Sequence, residues 1–269
     1  MGYKMLAVDL DGTLLDENHQ LTKRVRSALY QVADAGVQVV IATGRMFQSA
    51  AKIVEEIGMD LPMVTYNGAL IRSGLSGRTF HHQKLDTDAA RKFVALMRAE
   101  SVEPLAYIED ELYVETETET TRKYAEITKV RLNYVGNLEA YIKSAPTMLL
   151  FMGDVPTIDY LLPQMQKEYG REFYITRSFP TFMEIMKVGV SKAAALEALA
   201  SDLGIDRTDI IAIGDNYNDM EMIEYAGLGV AVGNAADGLK AIADYTAEAN
   251  NGEAVIEVIE KFIVKKQIS

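Results

Sequence analysis

The chain has 269 residues, 49% in the hydrophobic class and 25% charged, which is enough apolar material for one large core or two smaller ones. A formal net charge of −12 without a dense Lys/Arg stripe argues against nucleic-acid binding, because phosphate neutralisation supplies most of that affinity. The absence of cysteine excludes disulfides and thiolate metal sites; with no legible signal peptide or membrane span, it points to a cytoplasmic protein.

The stretch KMLAVDL (4–10) reads as a buried strand that ends in two acids, Asp9 and Asp11, followed by Gly12 and Thr13. An amphipathic helix is expected over TKRVRSALYQVADAG, stopped by Gly36. VQVVIAT is too apolar for a half-exposed strand and is expected to be covered on both faces. Next come a helix over RMFQSAAKIVEEIG, a short strand PMVTY, and an Asn67-Gly68 hairpin turn into ALIRS. Strand and helix alternating in this way specify a parallel sheet with helices on its faces.

The middle of the chain changes character. A helix over DTDAARKFVALMRAES precedes strands in PLAYIED, ELYVETET and PTMLLFMG, then a helix around TIDYLLPQMQKEYG and strands in EFYITRS and TFMEIMKVG. This pattern predicts an α+β module with an antiparallel sheet, with ETETETT as a solvated loop. From Ser191 the first pattern resumes: helix KAAALEALASDLG, strand DIIAIGD, helix DMEMIEYAG, strand LGVAVG and helix DGLKAIADY. The expected organisation is one α/β domain over 1–82 and 188–269, interrupted by an inserted module over 83–187.

Four constellations could carry chemistry. In DLDGT, two carboxylates at a strand end repel each other, which favours a shared proton or a bound cation. Oxygen ligands without Cys or His suit Mg²⁺, and Thr13 offers a hydroxyl and an N–H to an anion. A plain Asp-Gly turn with solvated acids is the bland alternative. In ATGR, Thr43 and Gly44 close a buried strand and open a helix, a junction that can bind an anion or can simply be a turn; Arg45 there can be a solvated helix-start residue. Ser191 reads as an N-cap, which puts Lys192 in a first helical turn, where a cation opposes the helix dipole. A surface lysine would tolerate that misfit; a lysine needed by phosphate would explain it. In GDNYNDM, Asp215 again ends an apolar strand, while Asn218 and Asp219 start a helix and can be its ordinary cap and first-turn acid.

The ordered set DLDGT, ATGR, Lys192 and GDNYND resembles the haloacid dehalogenase superfamily of phosphotransferases, most closely its Cof-type, sugar-phosphatase-like group. The resemblance implies a Rossmann-like core. It implies Asp9 as a nucleophile forming an aspartyl-phosphate and Asp11 as general acid and then base. Thr43, Gly44, Lys192 and Asn218 would hold the phosphoryl group. Asp9, Asp215 and the Asp11 carbonyl would bind Mg²⁺, with Asp219 and Arg45 in support. The insertion lies where this superfamily carries its C2-type cap, with hinges near Gln83–Asp86 and Met186–Val190. His81 and His82, beside the first hinge, are expected at the surface. The expected substrate is a small phosphorylated metabolite, sugar phosphates first. A phosphomutase of phosphomannomutase type and a non-catalytic sugar-phosphate sensor are the alternatives. Asp11 itself argues against the superfamily's ion pumps and dehalogenases, which lack an acid there. The oligomeric state is not legible.

Overall fold

A computed structural model describes residues 2–264, so Met1 and the last five residues of the expected core range lie outside the described residues. The chain begins with β1 (Met5–Val8), α1 (Lys23–Asp34), β2 (Gln38–Ala42), α2 (Phe47–Ile57), β3 (Pro62–Thr65), β4 (Leu70–Ser73) and β5 (Thr79–His82). Its middle adds α3 (Thr87–Met97), β6 (Glu103–Ile108), β7 (Glu111–Val114), α4 (Glu119–Thr128) and β8 (Leu132–Tyr134). Then follow α5 (Leu138–Tyr141), β9 (Met148–Met152), α6 (Val155–Tyr169), β10 (Phe173–Thr176) and β11 (Phe182–Lys187). The last part holds α7 (Lys192–Leu203), β12 (Ile210–Gly214), α8 (Met220–Tyr225), β13 (Leu228–Ala231), α9 (Asp237–Lys240), β14 (Tyr245–Thr246) and α10 (Asn251–Val258).

The first sheet has the order β14-β13-β12-β1-β2-β3-β4-β5, parallel from β14 to β3 and antiparallel through β4 and β5. β1 and β12 are apolar and buried along their whole length, as a parallel strand covered on both faces must be. Because β1 lies between β12 and β2, the residues after these three strands, Asp9, Asp215 and Thr43, emerge along one edge of the sheet.

The second sheet has the order β10-β11-β9-β6-β7-β8 and is antiparallel except for the β7–β8 pair. Its side chains divide with the period of two that a pleated strand imposes. Ala106, Ile108, Leu149, Phe151, Met183 and Ile185 pack under α3, α5 and α6. Leu105, Tyr107, Met148, Leu150, Met152 and Met186 form a separate cluster with Met46, Tyr66, Ala69 and Leu70 of the first sheet's side. This is the α/β class expected, a parallel-rich core with an inserted α+β cap.

Local structure departs from expectation in four places. The helix after β2 starts at Phe47, because the Arg45 carbonyl accepts from Tyr66 N–H and holds 44–46 in a turn. Only the first half of ETETETT is a loop; the Thr118 hydroxyl accepts from Thr121 N–H and caps α4. The helix expected from Asp237 ends at Lys240, since Tyr245 joins the sheet beside β13. His82 is half-buried rather than on the surface, with Nε2 2.9 Å from Thr147 Oγ1, and burial lowers its pKa to about 4, aided by Lys84 and Arg72.

Candidate active site

The four constellations meet at the ends of β1, β2 and β12 and the start of α7. Lys192, 1% exposed, extends its ammonium to Asp9 Oδ1 and to Asp219 Oδ1, 2.6 Å from each. Ser191 does cap α7, accepting from Ala194 N–H at 3.2 Å, so the first-turn lysine is placed by the helix it opposes. The other oxygen of Asp219 accepts from the backbone N–H groups of Asp215 and Asn216 at 3.0 and 3.1 Å. Asp219 is therefore a strut between Lys192 and the loop after β12. The cap of the short turn there is Asn216, not Asn218.

Carboxylate oxygens of Asp9, Asp215 and Asp219 lie within 4.8 Å of one another. Three carboxylates face one ammonium in a site where Asp9, Asp219 and Lys192 are all buried. Burial pushes the Asp9 carboxyl well above its usual range; Lys192 opposes this, and Asp219, Asp215 and Asp11 add to it. Burial, with Asp219 next, raises Asp215 to about 6. The surrounding acids raise the pKa of Lys192 above its usual value despite its burial. The donor set is hard oxygen with excess negative charge, which suits a divalent cation such as Mg²⁺.

Asp11 lies outside that group. Its carboxylate takes the Arg45 guanidinium as a fork, with Nε 2.6 Å from Oδ2, and His19 Nδ1 stands 3.0 Å from Oδ1. Burial alone would raise its pKa; Arg45, then His19, bring it below the usual carboxylate range. The Thr13 hydroxyl donates to Asp215 Oδ1 at 3.2 Å, so it braces an acid instead of facing an anion. The Thr43 hydroxyl accepts from Arg45 N–H at 3.1 Å. Gly12 has φ +80, and a Cβ there would stand 2.4 Å from an Asp215 oxygen, so only glycine lets β1's loop approach β12's.

A family model described as haloacid dehalogenase-like hydrolase matches residues 6–259. The chain belongs to the haloacid dehalogenase-like hydrolases. It is 30% identical to Escherichia coli YbjI, named 5-amino-6-(5-phospho-D-ribitylamino)uracil phosphatase, over 98% of this chain and 97% of that one. YitU of Bacillus subtilis, which carries the same enzyme name, is 28% identical over 96% of this chain and 97% of its own. Among solved structures, a haloacid dehalogenase-like hydrolase from Bacteroides thetaiotaomicron superposes with a TM-score of 0.87 at 29% identity, covering 96% of this chain and 99% of that one.

Within this haloacid dehalogenase-like site, Asp9, Lys192, Asp215 and Asp219 come together, with Thr43, Gly44 and Asp11 on the adjoining turns. Asn218 points its amide at Asn67, donating to Oδ1 at 3.0 Å. Two residues here escaped the sequence. Asn67 read only as a turn former. Glu184, 3% exposed, accepts from Asn67 Nδ2 at 2.8 Å and from Ser178 Oγ at 2.6 Å. The signal for Glu184 was present: an acid inside FMEIM, at the position between Phe182 and Met186, breaks an otherwise apolar strand.

Proposed function

We propose that this hydrolase is a Mg²⁺-dependent phosphomonoesterase that works through an aspartyl-phosphate on Asp9, with residues 83–187 as its movable cap. The observation that carries this is the buried Asp9 carboxylate, held by Lys192 beside Asp215 and Asp219, with a separate, cation-bound acid two residues on. Asp9 and Asp215, with the Asp11 carbonyl, would hold the metal, and Asp219 would fix Lys192 and the loop behind it. Bound there, Mg²⁺ supplies the charge that lets one anion approach another. Asp9 attacks phosphorus while Asp11 gives its proton to the departing alcohol oxygen. A water then attacks the same phosphorus, gives its proton to the Asp11 carboxylate, and Asp9 is released as carboxylate with inorganic phosphate. Arg45 holds Asp11 ionised, which suits the second half. The first half needs an incoming phosphate dianion to compete for that guanidinium.

The substrate class proposed is a small phosphorylated metabolite, sugar phosphates foremost; the relatives' named substrate, a phosphorylated ribityl compound, supports a phosphorylated polyol chain. Among the described residues no helix is long and apolar enough to cross a membrane. The test is phosphate release from a panel of phosphomonoesters with Mg²⁺. Release from sugar phosphates, lost in Asp9→Asn and in EDTA and restored by Mg²⁺, is expected. Full activity of Asp9→Asn would remove Asp9 as nucleophile, and indifference to EDTA would remove the metal.

A further inference from the structure

A turn that hydrolysis leaves without a task joins the inserted sheet to the phosphate site. Tyr66, Asn67 and Gly68 are all left-handed, with φ of 51°, 53° and 113°. Two consecutive non-glycine residues in that region are costly and persist where their surroundings over-determine them. Asn67, 1% exposed, is held at three points. Its N–H donates to Thr43 O at 3.1 Å, Nδ2 donates to Glu184 Oε2 at 2.8 Å, and Oδ1 accepts from Asn218 Nδ2 at 3.0 Å. Glycines clear the space: a Cβ on Gly44 would stand 2.9 Å from Asn67 Oδ1, and one on Gly68 2.2 Å from Ser191 O.

The hydrogen bonds have a direction. Above about pH 7, where Glu184 has lost its proton, its carboxylate only accepts. Ser178 Oγ donates to Glu184 Oε1, and Asn67 must therefore present Nδ2 to Oε2. That turns Asn67 Oδ1 to Asn218, which must answer with an N–H of its own. The Asn218 amide nitrogen carries a second hydrogen for a phosphoryl oxygen. Resting on the phosphomonoesterase function proposed above, we propose that Glu184 and Asn67 form a polarised relay that holds Asn218 with its amide N–H committed to phosphate. A side chain of the inserted module thereby positions a phosphate-binding residue of the core. Both are positioning residues, acting through Asn218.

Two variant sets test this. Asn67→Gly keeps the left-handed backbone and removes the amide. Asn67→Gly and Asn218→Ala are each expected to weaken inorganic phosphate binding, read by calorimetry with Mg²⁺, about tenfold, the loss of one hydrogen bond to a charged group. The double variant should be no worse than either, because both remove one contact. Losses that multiply would overturn the relay. Glu184→Asp keeps an acceptor-only group, whereas Glu184→Gln can offer Asn67 an N–H and reverse both amides. At pH 8, with Glu184 ionised, the Asn218 side-chain ¹⁵N–¹H signals should therefore move in Glu184→Gln and stay near wild type in Glu184→Asp. Equal behaviour of the two, in these signals and in phosphate affinity, would overturn the relay even if Asn67→Gly does not fold. If the wild-type protein releases no phosphate from the panel, the phosphomonoesterase function fails, while the Asn218 signals still decide the relay.

Discussion

Burial on the core-facing side of β11 raises the pKa of Glu184 to about 7, outweighing the hydrogen bonds from Ser178 and Asn67. The unfolded side chain titrates near 4.5. Between these values the folded chain holds a proton that the unfolded chain has lost. Stability therefore falls as pH rises across that window, and the whole penalty stands above it. A difference of this size corresponds to about 3 kcal/mol. Glu184→Gln should accordingly melt at a higher temperature than wild type at pH 8, the gap narrowing as pH falls from about 7 toward 4.5. Melting curves across pH check this, and a gap that does not vary with pH would refute it. The same substitution is expected to weaken phosphate binding, so at this residue stability and function pull in opposite directions.

At the scale of elements, the seat of α7 is the sensitive point, because it delivers Lys192. Ser191→Ala removes one cap bond and should cost about 1 kcal/mol in urea denaturation. Gly68→Ala places a Cβ 2.2 Å from the Ser191 carbonyl and strains a backbone at φ +113, so it should cost more, about 2–4 kcal/mol, and slow phosphate release as Lys192 shifts. The reverse order of costs would show that the turn does not seat the helix. Much of this architecture was legible in the sequence. β1, β2 and β12 are covered on both faces and so appear as unbroken apolar runs, and Ser191 announces α7 by its own chemistry. The acids after β1 and β12 were conspicuous because apolar runs seldom finish that way. The start of α2, the end of α9 and the tasks of Asn67 and Glu184 were hidden because their partners are remote in the chain. Asn67 and Glu184, 117 positions apart, meet only when both sheets are formed.

For the whole molecule, the inserted module rests on α2 as well as on the sheet. The Ser49 hydroxyl donates to Thr128 O at 3.1 Å and Lys52 Nζ to Lys129 O at 2.8 Å, both at the C-terminal end of α4. A cation there also meets the negative end of the helix dipole. Beyond α2, Tyr66 Oη donates to Asp110 Oδ1 at 2.6 Å on the β6–β7 turn. Removing both α4 contacts with Ser49→Ala and Lys52→Ala should leave the core intact and loosen the module. Faster amide exchange in α4 with unchanged exchange in β1 is the expected result; equal protection in both variants and wild type would show that these bonds do not hold the cap down.

The position of β1 between β2 and β12 has a consequence for synthesis. The strand that ends in Asp9 finds β2 within the first 42 residues, but its other edge waits for Ile210–Gly214. While the ribosome makes the inserted module, an apolar strand with an unpaired edge stands open to solvent and to neighbouring chains. The module can complete its own sheet in that interval, since all of its strands lie between Glu103 and Lys187. The emerging chain can thus reach a stage in which its inserted sheet is complete while the strand that ends in Asp9 is still half-paired.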